Sequence, residues 1–124
     1  MLNFIIVGHG TFATKMQDLM TDFHYDVNRS FFINYSEIMT PVDLDTSLKN
    51  IMSSSSEEFI IIVDLNGAST YTKSLAIAQE NSRIRVISGC NVPMLKSLSS
   101  NQDKPLAELL QILKKDSIDA IQII

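Results

Sequence analysis

Short apolar runs alternate with amphipathic helical patterns along this chain, and that alternation most constrains how it can fold. The first run, residues 2–7, is followed by apolar positions at helical spacing, and the same succession recurs three more times. Repeated strand–helix units make successive strands parallel, because each helix returns the chain across the sheet by a right-handed crossover. The sequence therefore predicts an α/β fold, with a doubly wound, mainly parallel sheet covered by helices on both faces.

The predicted elements occupy the whole chain, without an internal repeat or a domain boundary. Four strands are predicted at residues 2–7, 30–34, 59–63 and 83–88. Five helices are predicted at residues 11–23, 41–52, 70–81, 93–98 and 105–115, and the apolar segment 118–124 is predicted as a fifth strand. Short chains of this layout usually have the strand order 2-1-3-4, with the switch point between strands one and three. We therefore expect residues 1–124 to form one domain.

Composition narrows the class of protein further. A hydrophobic content of 45% with 19% charged residues is typical of a globular chain, and a net charge of −4 argues against general nucleic-acid binding. The single cysteine excludes an internal disulfide and a cysteine zinc site. No apolar stretch approaches the roughly 20 residues that span a bilayer, and the first residues lack the basic flank of a signal peptide. We expect a cytoplasmic protein.

A histidine between two glycines follows the first predicted strand. Gly8-His9-Gly10 lies where the apolar run ends and the first helical pattern begins. In open α/β sheets, ligands bind at the carboxyl ends of the strands, and the amino ends of helices favour anions. Histidine at such a position can act as a base, a nucleophile or a metal ligand. His9 is therefore the first candidate functional residue.

The predicted strand order brings an aspartate next to this histidine. Asp64 directly follows strand three, and strand three is the expected neighbour of strand one. Asp64 could accept a hydrogen bond from one imidazole nitrogen of His9, which would fix the tautomer and leave the other nitrogen free as a nucleophile. The alternative for Asp64 is a helix cap, and for His9 a turn-filling residue.

Two further loops are expected at the same edge of the sheet. Residues 65–70 form a small polar turn, whose backbone N–H groups and Ser69 and Thr70 hydroxyls could hold an oxyanion or a phosphate. Either of these two residues is also expected to be the N-cap of the third helix. Residues 89–95 follow strand four, and Cys90 in this loop is expected to be a partly buried residue rather than a reactive thiol.

A dinucleotide site is the competing interpretation of the first loop. Gly8-x-Gly10-x-x-Ala13 matches the dinucleotide-binding fingerprint, with a strand before it and a helix after it. That fingerprint expects an acidic residue at the end of strand two, whereas the nearest candidate, Glu37, lies further along in a loop. A small Rossmann-like dinucleotide-binding domain remains the alternative function.

Three sequence blocks resemble the mannose-type enzyme IIA domains of the bacterial sugar phosphotransferase system. They are IIVGHGTFA at 5–13, VDLNGAS at 63–69 and GCNVPML at 89–95. The third block is the most specific, and the resemblance extends over essentially the whole chain. Two residues depart from the family pattern: Ala68 replaces a glycine and Thr70 a proline. Alanine at 68 would disfavour a positive φ that glycine accepts freely.

The resemblance implies a phosphotransferase. His9 would accept a phosphoryl group from the carrier HPr and pass it to a IIB component, with Asp64 orienting the imidazole. The residues expected to bind the phosphate are Gly10, Thr11, Gly67 and Ser69. The resemblance implies no metal, no cofactor and no nucleic acid, and contact with the membrane only through the permease. It also implies a homodimer with a terminal strand that can cross to the neighbouring subunit, a role that segment 118–124 would suit.

Overall fold

A parallel sheet with helices on both faces forms the core of the computed structural model, which describes residues 2–124. In chain order, the elements are β1 (Leu2–His9), α1 (Phe12–Asp22), β2 (Ser30–Tyr35), α2 (Pro41–Met52), β3 (Glu58–Val63), α3 (Ser69–Glu80), β4 (Ile84–Ser88), α4 (Val92–Asn101) and α5 (Leu106–Asp119). All three strand pairings are parallel, and the strand order is β2-β1-β3-β4. The predicted fold class and strand order are confirmed.

β1 is one of the two central strands, and its two faces belong to different halves of the core. Phe4 and Ile6 pack with α1, α4 and α5, whereas Ile5 and Val7 pack with α2 and α3. All four side chains are fully buried. Burial of a large aliphatic or aromatic side chain stabilises the folded state by about 1.5–3 kcal/mol. The continuous apolar sequence of this strand therefore follows from its cover on both faces.

The helix α2 shows how local sequence fixes an element boundary. Thr40 is its N-cap: the Asp43 N–H donates to the threonine hydroxyl at 3.2 Å, and the Asp43 carboxylate accepts from the Thr40 N–H at 2.9 Å. Pro41 follows at the first helical position, where its missing N–H costs nothing.

Among residues 2–124, no helix combines the length and the apolarity needed to cross a membrane.

The predicted fifth strand at 118–124 is wrong. The helix α5 continues to Asp119, because Leu109, Leu113 and Ser117 extend its buried stripe at a spacing of four residues. Residues 121–124 follow without a strand partner in the described part of the chain, and Ile123 is 98% exposed. A strand needs a neighbour that satisfies its backbone groups, and apolar alternation over a few residues does not provide one.

Candidate active site

The turn that holds His9 uses its two glycines for different purposes. Gly10 has a φ of +59°, a left-handed conformation that glycine adopts without the penalty of a Cβ atom. Gly8 allows a close approach instead: a Cβ atom there would lie 2.3 Å from Cδ1 of Phe12 in the first turn of α1. The pair therefore lets the chain turn directly from β1 into α1, with His9 exposed between them.

Gly8→Ala is expected to lower the free energy of unfolding by about 1–3 kcal/mol, the usual cost of overpacking. The matched control is Gly10→Ala, where a Cβ atom would meet no described atom within 4 Å and only the positive φ opposes it. That conformational cost is about 1 kcal/mol. Urea denaturation measures both variants. If Gly8→Ala lowers the free energy of unfolding no more than Gly10→Ala does, the close packing of Phe12 against Gly8 is contradicted.

His9 and Asp64 form a hydrogen-bonded pair at the carboxyl edge of the sheet. Asp64 Oδ2 accepts from the backbone N–H of His9 at 2.9 Å and lies 2.7 Å from its Nδ1 atom. The carboxylate is nearly buried, with 8% of its side chain exposed, whereas 43% of the histidine side chain is exposed. An ionised carboxylate only accepts hydrogen bonds, so in the neutral imidazole Nδ1 carries the proton and Nε2 keeps its lone pair.

The hydrogen bonds of Asp64 decide its protonation. Partial burial acts to raise the pKa of Asp64, but donors from the His9 backbone, the His9 ring and the Thr70 hydroxyl together hold that pKa below its ordinary value. Asp64 is therefore ionised at neutral pH. Its negative charge lies beside the imidazole, where it stabilises a positive charge that develops on the ring.

Tyr35 is a neighbour of His9 that the sequence analysis missed. It ends β2 and is the register partner of His9, and the two rings meet edge to face with centroids 5.6 Å apart. Its carbonyl oxygen also accepts the N–H of Gly10 at 3.0 Å. The predicted strand ended one residue earlier; the full strand, with its register against β1, would have identified this contact.

Gly10 and Thr11, expected as phosphate-binding residues, lie beside His9 at the start of α1. The N–H of Gly10 already donates to Tyr35, so Gly10 contributes its backbone conformation rather than this donor. Thr11 is the exposed N-cap of α1, and its side chain makes no capping bond within residues 2–124. The Thr14 N–H in that first turn donates instead to Oδ1 of Asn34 on β2, at 3.1 Å.

The turn after Asp64 differs from the expectation at its cap. The N-cap of α3 is Ala68, so neither Ser69 nor Thr70 has that role, and Asp64 lies too far upstream to cap this helix. Ala68 has a φ of −99°, so replacement of the family glycine by alanine introduces no left-handed strain. Gly67 does have a positive φ, +83°, and lies exposed in the turn.

Ser69 and Thr70 occupy the first turn of α3 but face different surroundings. Ser69 is half-buried, whereas Thr70 is fully buried and donates its hydroxyl to Oδ1 of Asp64 at 2.8 Å. The Thr70 hydroxyl is therefore not available to an anion, contrary to the expectation from the sequence. Ser69 and Gly67 are the expected phosphate-binding residues on this side of His9.

The loop after β4 supports the edge of the sheet. The N–H of Cys90 donates to the carbonyl of Val63 at 3.0 Å, and Asn91 caps α4 by accepting the Met94 N–H at 2.9 Å. Burial, with a smaller contribution from the charge of Asp64, raises the pKa of the Cys90 thiol to about 12. The thiol therefore stays protonated at neutral pH, in agreement with a packing role.

An exposed histidine, hydrogen-bonded to a nearly buried carboxylate at the switch point of a doubly wound sheet, defines a small α/β protein with a candidate histidine site. The EIIA-man family, described as "PTS system fructose IIA component", matches residues 3–114. The sorbose-specific EIIA component of the Klebsiella pneumoniae phosphotransferase system is 30% identical over 103 residues, covering 82% of this chain and 76% of that protein. The chain therefore belongs to the mannose-type EIIA family of phosphotransferase-system components.

Solved structures agree with the fold. EIIA from Streptococcus agalactiae superposes with a TM-score of 0.89 at 23% identity, covering 99% of this chain and 97% of that one. The mannose/sorbose-specific IIA subunit from Enterococcus faecalis also gives a TM-score of 0.89, at 15% identity, with coverage of 98% and 93%. At these identities the likeness establishes the shared architecture.

Family membership also decides against the dinucleotide interpretation. The strand β2 ends at Tyr35 rather than at an acidic residue, and Glu37 lies beyond it in an exposed turn. Gly8, which matched the first glycine of the fingerprint, instead makes room for the Phe12 ring.

Proposed function

We propose that this protein is a cytoplasmic phosphocarrier. It accepts a phosphoryl group from phosphorylated HPr on Nε2 of His9 and passes it to a IIB component for sugar uptake. The observation that carries the proposal is the 2.7 Å contact between His9 Nδ1 and Asp64 Oδ2, because it leaves Nε2 as the unprotonated nitrogen of an exposed imidazole.

The transfer step follows from this protonation state. The Nε2 lone pair attacks phosphorus, the bond from phosphorus to the donor imidazole breaks, and its electron pair returns to the donor nitrogen. Positive charge develops on the His9 ring as Nε2 becomes bonded, and the ionised Asp64 stabilises that charge through Nδ1–H. In the second transfer His9 is the donor. The nucleophile of the next acceptor attacks phosphorus, the bond from phosphorus to Nε2 breaks, and its electron pair returns to Nε2.

The phosphoryl oxygens require donors on the outer side of the imidazole. The N-cap of α1, Thr11, lies two residues after His9, and the first turn of α3 contacts Asp64, the partner of His9, through Thr70. Helix amino ends stabilise anions through unpaired N–H groups and the helix dipole. The Ser69 hydroxyl and the exposed turn at Gly67 lie on the α3 side. We infer that these groups hold the transferred phosphoryl group.

The direct test is incubation with phosphoenolpyruvate, enzyme I and HPr, followed by intact-mass measurement. Addition of one acid-labile phosphoryl group is expected, as for a phosphohistidine. Omission of HPr is the control and should leave the protein unmodified. A protein that gains no phosphoryl group from the complete mixture would refute the proposal.

We also propose a homodimer in which the carboxyl-terminal segment contacts the second subunit. β4 pairs only with β3 in the described chain, so its outer edge keeps unpaired backbone groups. A groove of about 590 Å³ runs along that edge, with Arg85, Val86 and Ile118 among its lining residues. The exposed isoleucines at 121, 123 and 124 provide apolar surface that a second subunit could cover.

Deletion of residues 121–124 is expected to convert the dimer into a monomer, measured by light scattering coupled to size-exclusion chromatography. The deletion leaves the buried residues Leu113 and Ser117 of α5 in place, so the fold should persist. Ile38→Ser is the matched control, because Ile38 is 91% exposed in the loop after β2, at the other side of the sheet. A truncated protein that stays dimeric would place the interface elsewhere.

A further inference from the structure

Thr70 makes a side-chain contact with the carboxylate that pairs with His9. Its hydroxyl donates to Oδ1 of Asp64 at 2.8 Å, and its side chain is fully buried. Proline, which the resemblance to the mannose-type family would place at this position, has no hydroxyl and could not donate this bond. The contact therefore depends on the threonine side chain rather than on the backbone of the fold.

The contact completes the restraint of the Asp64 carboxylate. Both donors from His9, the backbone N–H and the ring Nδ1–H, reach the same oxygen, Oδ2. A carboxylate that is held only at Oδ2 can still rotate about that atom. The Oδ2 lone pair that accepts from the His9 ring then turns away from the imidazole. The Thr70 hydroxyl holds Oδ1 and prevents this rotation.

Thr70 is itself rigidly placed. It lies in the first turn of α3, where the Thr72 N–H donates to the Ala68 carbonyl at 2.9 Å. One turn further on, the buried Ser74 hydroxyl donates to the Thr70 carbonyl at 2.7 Å. The packed helix therefore fixes the Thr70 backbone, and full burial of its side chain restricts rotation about χ1.

We propose that Thr70 is a positioning residue for His9. By fixing the plane of the Asp64 carboxylate, its hydroxyl holds the imidazole in the tautomer with hydrogen on Nδ1, and it thereby keeps Nε2 ready to accept the phosphoryl group. The effect on transfer rate rests on the proposed phosphocarrier function, whereas the effect on the tautomer does not.

The first measurement is the tautomer of His9 in the unphosphorylated protein. With ¹⁵N-labelled imidazole, NMR above the titration range of histidine distinguishes Nδ1–H from Nε2–H. Wild type and Thr70→Ser should show the Nδ1–H form, because both keep the hydroxyl. Thr70→Val, which has the same shape without the hydroxyl, should show a mixture with the Nε2–H form. Thr72→Val is the matched control, because within residues 2–124 the exposed Thr72 hydroxyl donates to the Ala68 carbonyl and to no other group.

The second measurement is the rate of phosphoryl acceptance from phosphorylated HPr. Thr70→Val should be about 10-fold slower, the usual effect of removing a group that orients a functional side chain. Thr70→Ser and Thr72→Val should match wild type. Wild-type ring signals in Thr70→Val, a wild-type rate in that variant, or a Thr70→Ser variant as impaired as Thr70→Val would each overturn the role of the hydroxyl. If wild type itself accepts no phosphoryl group, the proposed function fails while the ring signals still decide the role of Thr70.

Discussion

His9→Ala is expected to abolish phosphoryl acceptance from phosphorylated HPr, because it removes the nitrogen that forms the new bond. The other histidine of the chain, His24, provides the control. It is exposed just beyond α1 with a φ of +59°, and its N–H donates to the Thr21 carbonyl at 3.1 Å, so it has a structural role. His24→Ala should therefore accept one phosphoryl group, as wild type does.

Intact-mass measurement before and after mild acid treatment distinguishes phosphohistidine from stable phosphoesters. His9→Ala removes one donor to Asp64 but keeps the backbone N–H and Thr70 donors, so the variant should stay folded with a moderately lowered thermal unfolding temperature. Equal phosphorylation of His9→Ala and wild type would refute the proposed function. Loss of phosphorylation in His24→Ala alone would identify His24, at the end of α1, as the nucleophile.

Asp64→Asn is expected to slow phosphoryl transfer by about 10²- to 10⁴-fold. The asparagine amide has the shape of the carboxylate, but it has no negative charge. It therefore cannot balance the positive charge that develops on the His9 ring as Nε2 bonds to phosphorus. It can also present its NH₂ group to Nδ1, which would place the proton on Nε2 and block the nucleophile. Rapid-quench measurement of the transfer rate tests this, with Asp45→Asn as control because Asp45 forms a surface ion pair with Lys49 at 3.0 Å.

The fold should survive this substitution at neutral pH, as checked by circular dichroism. Because the folded pKa of Asp64 lies below its ordinary value, its ionised form stabilises the native state at pH values above that ordinary value. That contribution declines as the pH falls through the lowered folded pKa. The stability difference between wild type and Asp64→Asn should therefore shrink in acid. Unchanged transfer kinetics in the variant would leave Asp64 with a packing role only.

The architecture was predictable because it follows from features that are local in sequence. Alternating strand and helix patterns imply parallel pairing, and the usual order 2-1-3-4 then places the ends of β1 and β3 side by side. The encounter of His9 with Asp64 could be predicted from that order alone, since each residue directly follows the buried part of its strand.

The remainder of the site depends on information that local patterns do not contain. Tyr35 meets His9 through strand register, and the boundary of a strand is uncertain by a residue when its last side chains are half-buried. Thr70 was expected to face an anion, but α3 begins one residue earlier than predicted, and the buried Thr70 hydroxyl in its first turn donates to Asp64. The prediction of a fifth strand was wrong because a strand forms only beside the edge of another strand. The sequence of a short segment does not specify such a neighbour.

The division of the core by β1 has a consequence for motion. A fluctuation that displaced this strand would open both halves of the core at once, because its alternate side chains pack into each of them. Its amide hydrogens should therefore exchange only through near-global opening, whereas the exposed turn at 65–67 can open at small cost. The proposed nucleophile is thus expected at the end of a slowly exchanging strand, whereas Gly67, one of the residues proposed to meet the transferred anion, lies in a turn that can open without moving β1.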